Sequence, residues 1–509
     1  MLSQSSNMGN ELVRYKPPEK AVLHAYQKKA LKFLLDNQSV GLFMKPGLGK
    51  TLVTLLGIKK LMSEGQIYKT LIIAPPWVCH NVWAQEIKKW TQTFDLRIEV
   101  ITGTKKEQAL EREADIYIIN PESLKWLIKP SEGSKRGKKS YYFTREQQKR
   151  WFDLGFDTLV IDELSAFKAH NTLRFDLMKL ILDTFTRRWG LTGSPASNGL
   201  LDLFGECYML DSGQALGRYI THYRMNYFNS DYSGYNWTVK PGKEKEIYEA
   251  IKPLVFQLQA RDYLELPIIV NNVINIELPP KARAFYNEFE ENLIAELDRN
   301  LIVAGTAAIK SGKCRQIASG GIYVEPEIKI TGFQIEQKKQ KRKDWLHIHD
   351  AKGEALEALV NELNGEPLLI AYEFNHDLER LQARFGKDLP YIGGGVGIKE
   401  GQKIVADWNA GKLPLLAGQP QSMALGLNLQ GCGQHICWYT LTWNYQNYDQ
   451  LIQRLVRQGN KHTHVFVHHL LAEDTVESLV VLEALKNKEH CQESLFDGLK
   501  KLSQQRKRK

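Results

Sequence analysis

Short runs of apolar residues, each of strand length and each followed by a helical stretch, recur along this chain in two separate series. The first series covers residues 70–75, 116–120, 158–162 and 189–192; the second covers 367–372, 389–393, 413–417, 435–441 and 464–467. A strand with one wet face alternates apolar and polar side chains, so runs that are apolar throughout belong to strands buried on both faces of a parallel sheet. The chain is therefore expected to build two open α/β domains, each burying its own core. Its 509 residues agree, being too many for one ordinary core. The expected borders are an arm over 1–20, a first domain over 21–252, a second over 253–488 and a basic tail over 489–509. A helix is expected over 23–35, a further strand over 268–276 and a helix over 281–301, while the aromatic region 213–259 receives no element.

In an open α/β sheet, ligands sit beyond the carboxyl ends of the strands. The polar residues of the first series fall there. Met44-Lys-Pro-Gly-Leu-Gly-Lys-Thr51 follows an apolar run and opens a helix. Gly47, Leu48 and Gly49 form a turn whose backbone can wrap a phosphate, with the helix N-terminus adding attraction. Lys50 can reach the β- and γ-phosphates, and the Thr51 hydroxyl can ligate Mg²⁺. The strict phosphate-loop pattern asks for glycine where the chain has Met44, so a plain glycine turn before a helix stays open at this point. Val160-Ile-Asp-Glu163 ends another buried run with two carboxylates. Asp162 is suited to hold Mg²⁺ and Glu163 to orient or deprotonate the attacking water. Alone, the pair would read as a strand end capped by turn formers; beside Lys50 and Thr51, ATP hydrolysis is the better reading. In the second series Arg454 and Arg457 lie three residues apart, on one helix face. They suit stabilisation of a γ-phosphate in transfer, the alternative being a salt-bridged surface helix.

A net charge of +10 and a pI near 9.0 call for a polyanionic partner, nucleic acid in the usual case. The stretch 127–150, with Lys129, Lys135, Arg136, Lys138, Lys139 and Arg145, reads as an exposed basic loop, either a solvated insertion or a nucleic-acid contact. A second charge run covers Lys338 to Lys343, and the tail ends Arg506-Lys-Arg-Lys509. The six cysteines form no C-x-x-C pair, and the histidines between 461 and 469 alternate as in a strand, so no metal centre other than Mg²⁺ is expected. With no long apolar run and no secretory leader, the expectation is a cytoplasmic protein without a membrane span.

Taken in order, these motifs resemble the superfamily II helicases and translocases, most closely the Swi/Snf-type DNA-dependent ATPases in a compact, bacteriophage-like form. The resemblance runs from residue 23 to about residue 480. Leu23-His-Ala-Tyr-Gln27 is similar to the family's adenine-reading motif, which implies an adenine contact at Gln27. In the family's motif I the first residue is normally alanine, so Met44 matters less than the strict pattern suggests. Leu71–Pro75 with Trp83 and Glu86 resembles motif Ia, and Ile118–Ser123 resembles motif Ib. Together with motif III at 191–198 and motif V at 420–430, they imply nucleic-acid contacts at Pro75, Asn120, Ser123, Thr192 and Ser422, and nucleotide contacts at Gly426 and Asn428. Gln450, Arg454, Arg457 and Gly459 match motif VI. The chain departs from the pattern at Ser165, where the D-E-x-H box has histidine, at Ser194 for threonine, and at Asn460 for glutamine.

The resemblance implies two tandem RecA-like parallel-sheet domains with an ATP·Mg²⁺ cleft between them, in a DNA-dependent ATPase that moves on duplex DNA. A strand-separating helicase is the alternative, needing a wedge the sequence does not identify. A nucleotide-gated DNA-binding recruitment factor with little hydrolysis is the reading from another class, disfavoured by intact Lys50, Glu163 and Arg457. The expected partners are duplex DNA and proteins of replication, recombination or repair, with the chain acting as a monomer and a phage-infected host cell as one setting.

Overall fold

The computed structural model describes residues 18–486 except 136, 194, 197–198, 231–236, 259–265, 299–303, 325–343 and 424–425. Most of the expected arm, the charge run from Lys338 to Lys343 and the C-terminal tail lie outside the described residues. In chain order the strands are β1 (Ser39–Met44), β2 (Thr70–Ile73), β3 (Ile98–Ile101), β4 (Ile116–Ile119), β5 (Ser131–Lys135), β6 (Lys138–Tyr142), β7 (Thr158–Asp162), β8 (Arg187–Thr192), β9 (Phe228–Ser230) and β10 (Trp237–Val239). They continue with β11 (Val255–Leu258), β12 (Ile268–Ile276), β13 (Gly321–Tyr323), β14 (Trp345–His347), β15 (Leu368–Ala371), β16 (Tyr391–Ile392), β17 (Leu415–Gly418), β18 (His435–Trp438) and β19 (His464–Ala472).

Seven of these make a parallel sheet in the order β11-β1-β8-β7-β2-β4-β3, and six make a second parallel sheet in the order β12-β19-β18-β15-β17-β16. Successive residues of the inner strands enter different cores, as a pleat buried on both faces requires. In the first sheet Leu71, Ile73, Leu159 and Ile161 join one apolar cluster, and Ile72, Ile118, Val160 and Leu191 join the other. In the second, Leu369, Leu416 and Ile436 face one cluster while Leu368, Ile370 and Cys437 face the other. This is the expected α/β architecture of two parallel sheets.

Three regions differ from the sequence reading. The described residues of 213–259 carry regular elements: a helix Ile220–Tyr227, the antiparallel pair β9–β10 and a helix Lys243–Ile251 lead into β11. Because β11 pairs with β1, the first sheet takes its last strand from beyond the border expected at 252. The basic stretch 127–150 is not a loop; β5 and β6 form an antiparallel hairpin, followed by a helix Arg145–Asp153 that Thr144 caps through the Gln147 amide. The edge strand β3 has no counterpart in the expected set. Among the described residues no helix is long and apolar enough to cross a membrane.

Candidate nucleotide site between the two sheets

β1 delivers the glycine turn. After Met44 the chain bends through Gly47 at φ +87 and Gly49 at φ +79, and Gly49 opens the helix Lys50–Ser63. Both angles lie in the left-handed region that glycine enters without strain. A Cβ at Gly47 would stand 3.0 Å from Arg457 Cγ, and one at Gly49 would collide with the Gln27 amide. The turn is fixed from behind: Gln27 Nε2 donates to Leu48 O at 3.2 Å, and Gln27 Oε1 accepts from His24 N at 2.9 Å. Leu48 sends its side chain into the core and offers the turn only its backbone. Lys50 Nζ donates to Met44 O at 2.6 Å. Burial pushes its ammonium down to about 8, against the pull of Glu163 and Asp162.

β7 delivers the carboxylates. Trp83 Nε1 donates to Asp162 Oδ2 at 2.9 Å, and burial together with the neighbouring Glu163 raises Asp162 to about 6. Glu163 sits at φ 66, a left-handed conformation unusual for a non-glycine residue. Ser165, in the place of the family histidine, donates from Oγ to Glu163 Oε1 at 2.6 Å.

The second sheet reaches the same place through the helix Tyr445–Ile452 and the turn after it. Gln450 Nε2 donates to Glu163 Oε1 at 3.4 Å, and Gln446 Nε2 donates to Ser165 Oγ at 2.9 Å. Lys45 Nζ and Asp449 Oδ2 form a further bridge of 3.3 Å across the cleft. Arg454 is buried and donates to Leu427 O at 3.4 Å, while Arg457 Nη1 donates to Asn428 Oδ1 at 2.6 Å. Burial, then the neighbouring Arg457, lowers Arg454 to about 9; burial lowers Arg457 as well. The two domains touch closely beside them. A Cβ on Gly426 would lie 2.6 Å from Val78 Cγ2, and one on Gly401 would lie 2.8 Å from the Trp77 ring.

One cleft is lined by Gln27, Gly47, Gly49, Lys50, Thr51, Asp162, Glu163, Gly426, Asn428, Arg454 and Arg457, and Pro75 reaches it too. An adjoining cavity shares Pro75, Glu163 and Gln450 with that cleft and continues past Pro76, Pro121, Gln419 and Gln421. Asn120, Ser123 and Ser422 flank residues of this second cavity and are partly exposed. Thr192 is a correction. It is 1% exposed at the end of β8, in register with Phe43 of β1, so it offers no surface to a nucleic acid. Ser194 and Asn198 lie outside the described residues. Sequence reasoning missed Gln446 and the Lys45–Asp449 bridge, whose partners stand 281 and 404 residues apart with no local pattern to mark them.

The model of the SNF2-related domain matches residues 26–342. The chain belongs to the SNF2-related family. The model of the helicase conserved C-terminal domain matches residues 351–459 of this SNF2-related protein. It is 32% identical over 493 residues to putative protein p41 of Acyrthosiphon pisum secondary endosymbiont phage 1, covering 94% of this chain and 98% of that one. The Arabidopsis thaliana chromatin-remodeling ATPase INO80 is 24% identical over 55% of this chain, and the chain spans only 18% of its length. A Sulfolobus solfataricus SWI2/SNF2 ATPase core in complex with dsDNA shows a loose likeness, with a TM-score of 0.40, 19% identity and 96% of each chain covered. This SNF2-related protein is an enzyme of the DNA-dependent ATPase and helicase class, with two tandem RecA-like domains.

The family implies nucleotide use, and the residues present fit a magnesium-bound nucleoside triphosphate. Burial lowers Lys50 and Arg454 and raises Asp162, the cost of holding charges away from water, and one cleft places the phosphate donors Lys50, Arg454 and Arg457 beside the cation ligands Thr51 and Asp162. Gly47, lacking a Cβ, lets the backbone of the turn and the Arg457 side chain approach each other across the cleft.

Proposed function

We propose that this chain is an ATP-dependent translocase on duplex DNA, its first domain running through β11 and its second starting at β12. The observation that carries the reading is the meeting of Lys50, Asp162 and Glu163 from one sheet with Arg454 and Arg457 from the other in a single cleft. Bound ATP·Mg²⁺ supplies the γ-phosphoryl group and the free energy of its transfer to water. Lys50 and the amides of the Gly47–Thr51 turn hold the phosphates, with Gln27 at the adenine end. Thr51 and Asp162 hold the cation. Glu163 orients the attacking water and takes its proton, and Ser165 keeps the carboxylate aimed. Arg454 and Arg457 counter the charge that builds during transfer, an effect of about 10³ to 10⁵ in rate for arginines so placed.

Because those arginines belong to the second domain, hydrolysis requires closure, and loss of the phosphate contact favours reopening. Glu163 lines both the nucleotide cleft and the adjoining cavity, so DNA seated there along Pro75, Asn120, Ser123 and Ser422 acts on the same residue. The alternating grip of two domains on one backbone moves the protein along it. The test is ATP turnover with duplex DNA, single-stranded DNA, forks and RNA, paired with displacement of a triplex-forming strand. Duplex-stimulated turnover with triplex displacement is expected. Fork unwinding without triplex displacement would install the strand-separating reading, and turnover indifferent to every nucleic acid would sink both.

A further inference from the structure

Part of the nucleotide cleft is lined by residues to which the motif resemblance assigns no nucleotide contact. Trp90, which ends the helix Trp83–Lys89, lines it together with Glu86, Lys89, Val22 and His24. The indole is held by its edge, since Nε1 donates to Glu86 Oε2 at 2.8 Å. Its backbone is strapped to the segment before the helix Ala25–Asp36. Glu19 and Trp90 form a parallel bridge, in which Glu19 N donates to Lys89 O at 2.8 Å and Thr91 N donates to Glu19 O at 2.9 Å. Beside it, Gln92 Oε1 accepts from Ala21 N at 3.0 Å and Gln92 Nε2 donates to Ala21 O at 2.9 Å. The strapped segment brings Val22 to the cleft, where it stays 81% exposed.

Gln27 alone gives a base little to hold. Its oxygen accepts from His24 N and one of its two N–H groups goes to Leu48 O, which leaves one donor and one lone pair for a ligand. A flat base binds more firmly against an aromatic face. Among the described residues that line the cleft, the aromatic rings are those of His24 and Trp90. His24 already stacks on the buried Tyr26, with centroids 5.4 Å apart. Over the Trp90 ring stands the Lys89 ammonium, 4.4 Å from the centroid, on a side chain that is 52% exposed. A cation over a ring at an exposed site is worth about 2- to 5-fold in affinity, and a base stacked on an aromatic side chain about 5- to 150-fold, so an incoming base displaces the ammonium.

We propose that Trp90 is the platform on which the base of ATP stacks, with Glu86 fixing the ring through its N–H and Val22 as apolar lining beside it. The proposal rests on the ATP-site reading and adds a base contact to the one at Gln27. Glu86 is a positioning residue here, and Lys89 is the group that swings aside.

Inorganic tripolyphosphate with Mg²⁺ presents phosphates without a base, so comparing it with ATP separates the two grips. The experiment measures kcat and KM for ATP in the full chain, and the inhibition constant of magnesium tripolyphosphate against that turnover. Trp90→Ala should raise KM for ATP about 10-fold or more, with kcat within about 2-fold of wild type and inhibition by tripolyphosphate unchanged. Trp90→Phe, which keeps a ring, should recover most of the loss. An unchanged KM in Trp90→Ala overturns the platform. An equal loss for both ligands overturns it too, because Trp90 would then be a scaffold of the phosphate turn. Should the alanine variant fail to fold, Trp90→Leu keeps apolar bulk without an aromatic face and should show the same split; a KM at the wild-type level there overturns the proposal. A wild-type chain that turns over no ATP would instead defeat the ATPase reading itself.

Discussion

The two sheets bring different chemistry to one cleft. The first brings one cation and two carboxylates, Lys50 with Asp162 and Glu163, delivered after the glycine turn that follows β1 and at the carboxyl end of β7. The second brings the guanidiniums of Arg454 and Arg457 on a turn after a helix. Their interiors differ as well. Both sheets lie between two apolar clusters, and what the second adds is a buried ion pair: Lys352 Nζ bonds Glu477 Oε2 at 2.5 Å and Tyr439 O at 2.9 Å, with both side chains fully buried. The lesson is a division of labour, in which one half holds the nucleotide and the other completes the site only by arriving.

The sharpest way to break this division is Arg457→Ala. DNA-stimulated turnover should fall by about 10³- to 10⁵-fold, and an unchanged rate would mean that the second domain contributes no finger at this position. Lys50→Ala should abolish turnover by a different route, through loss of phosphate binding. Glu163→Gln should keep nucleotide binding while turnover is lost, and loss of binding in that variant would refute its role with water.

The buried ion pair gives the next effect. Lys352→Met leaves Glu477 buried without its cation and should cost about 3 to 5 kcal/mol in denaturant unfolding of the second domain. A cost below about 1 kcal/mol would show that the pair carries little of that core. Acid should act on the same half. Burial pushes His349 and His468 down to about 4, and His468 also faces His435, which in turn meets Glu366. These groups take up protons more readily when unfolded. Their contribution is thus complete above about pH 6.5 and is lost as pH falls toward 4, a few kcal/mol in all. Melting of second-domain probes at pH 7 and pH 4.5 checks it, and equal stability at the two values would contradict it. The smallest effect belongs to the contact across the cleft. Gln446→Ala removes one hydrogen bond to Ser165, so DNA-stimulated kcat should drop about 3- to 10-fold with KM for ATP little altered. A changed KM at constant kcat would place Gln446 in nucleotide binding instead.

What could be read from the sequence follows the same line. The inner strands were legible because burial on both faces leaves them apolar throughout. β3 escaped because it is a half-buried edge strand of four residues, and β5–β6 because Ser-Glu-Gly-Ser-Lys carries no apolar alternation. β11 was missed because its run lies inside an irregular region, although the chain needs it to finish the first sheet. In the site, Lys50, Asp162 and Glu163 announce themselves by adjacency, and Arg454 and Arg457 by their spacing. Gln446 does not, since its partner is chosen by how two domains meet. Thr192 misled because a motif marks a position in the chain and not the exposure of a side chain.

Gly426 sets the tolerance of the whole device. With Val78 Cγ2 only 2.6 Å from where its Cβ would stand, the gap between the halves is narrower than a methyl group. Alanine there, at φ +75 and against Val78, is expected to act as a shim that holds the jaws ajar without replacing any charged group of the cleft.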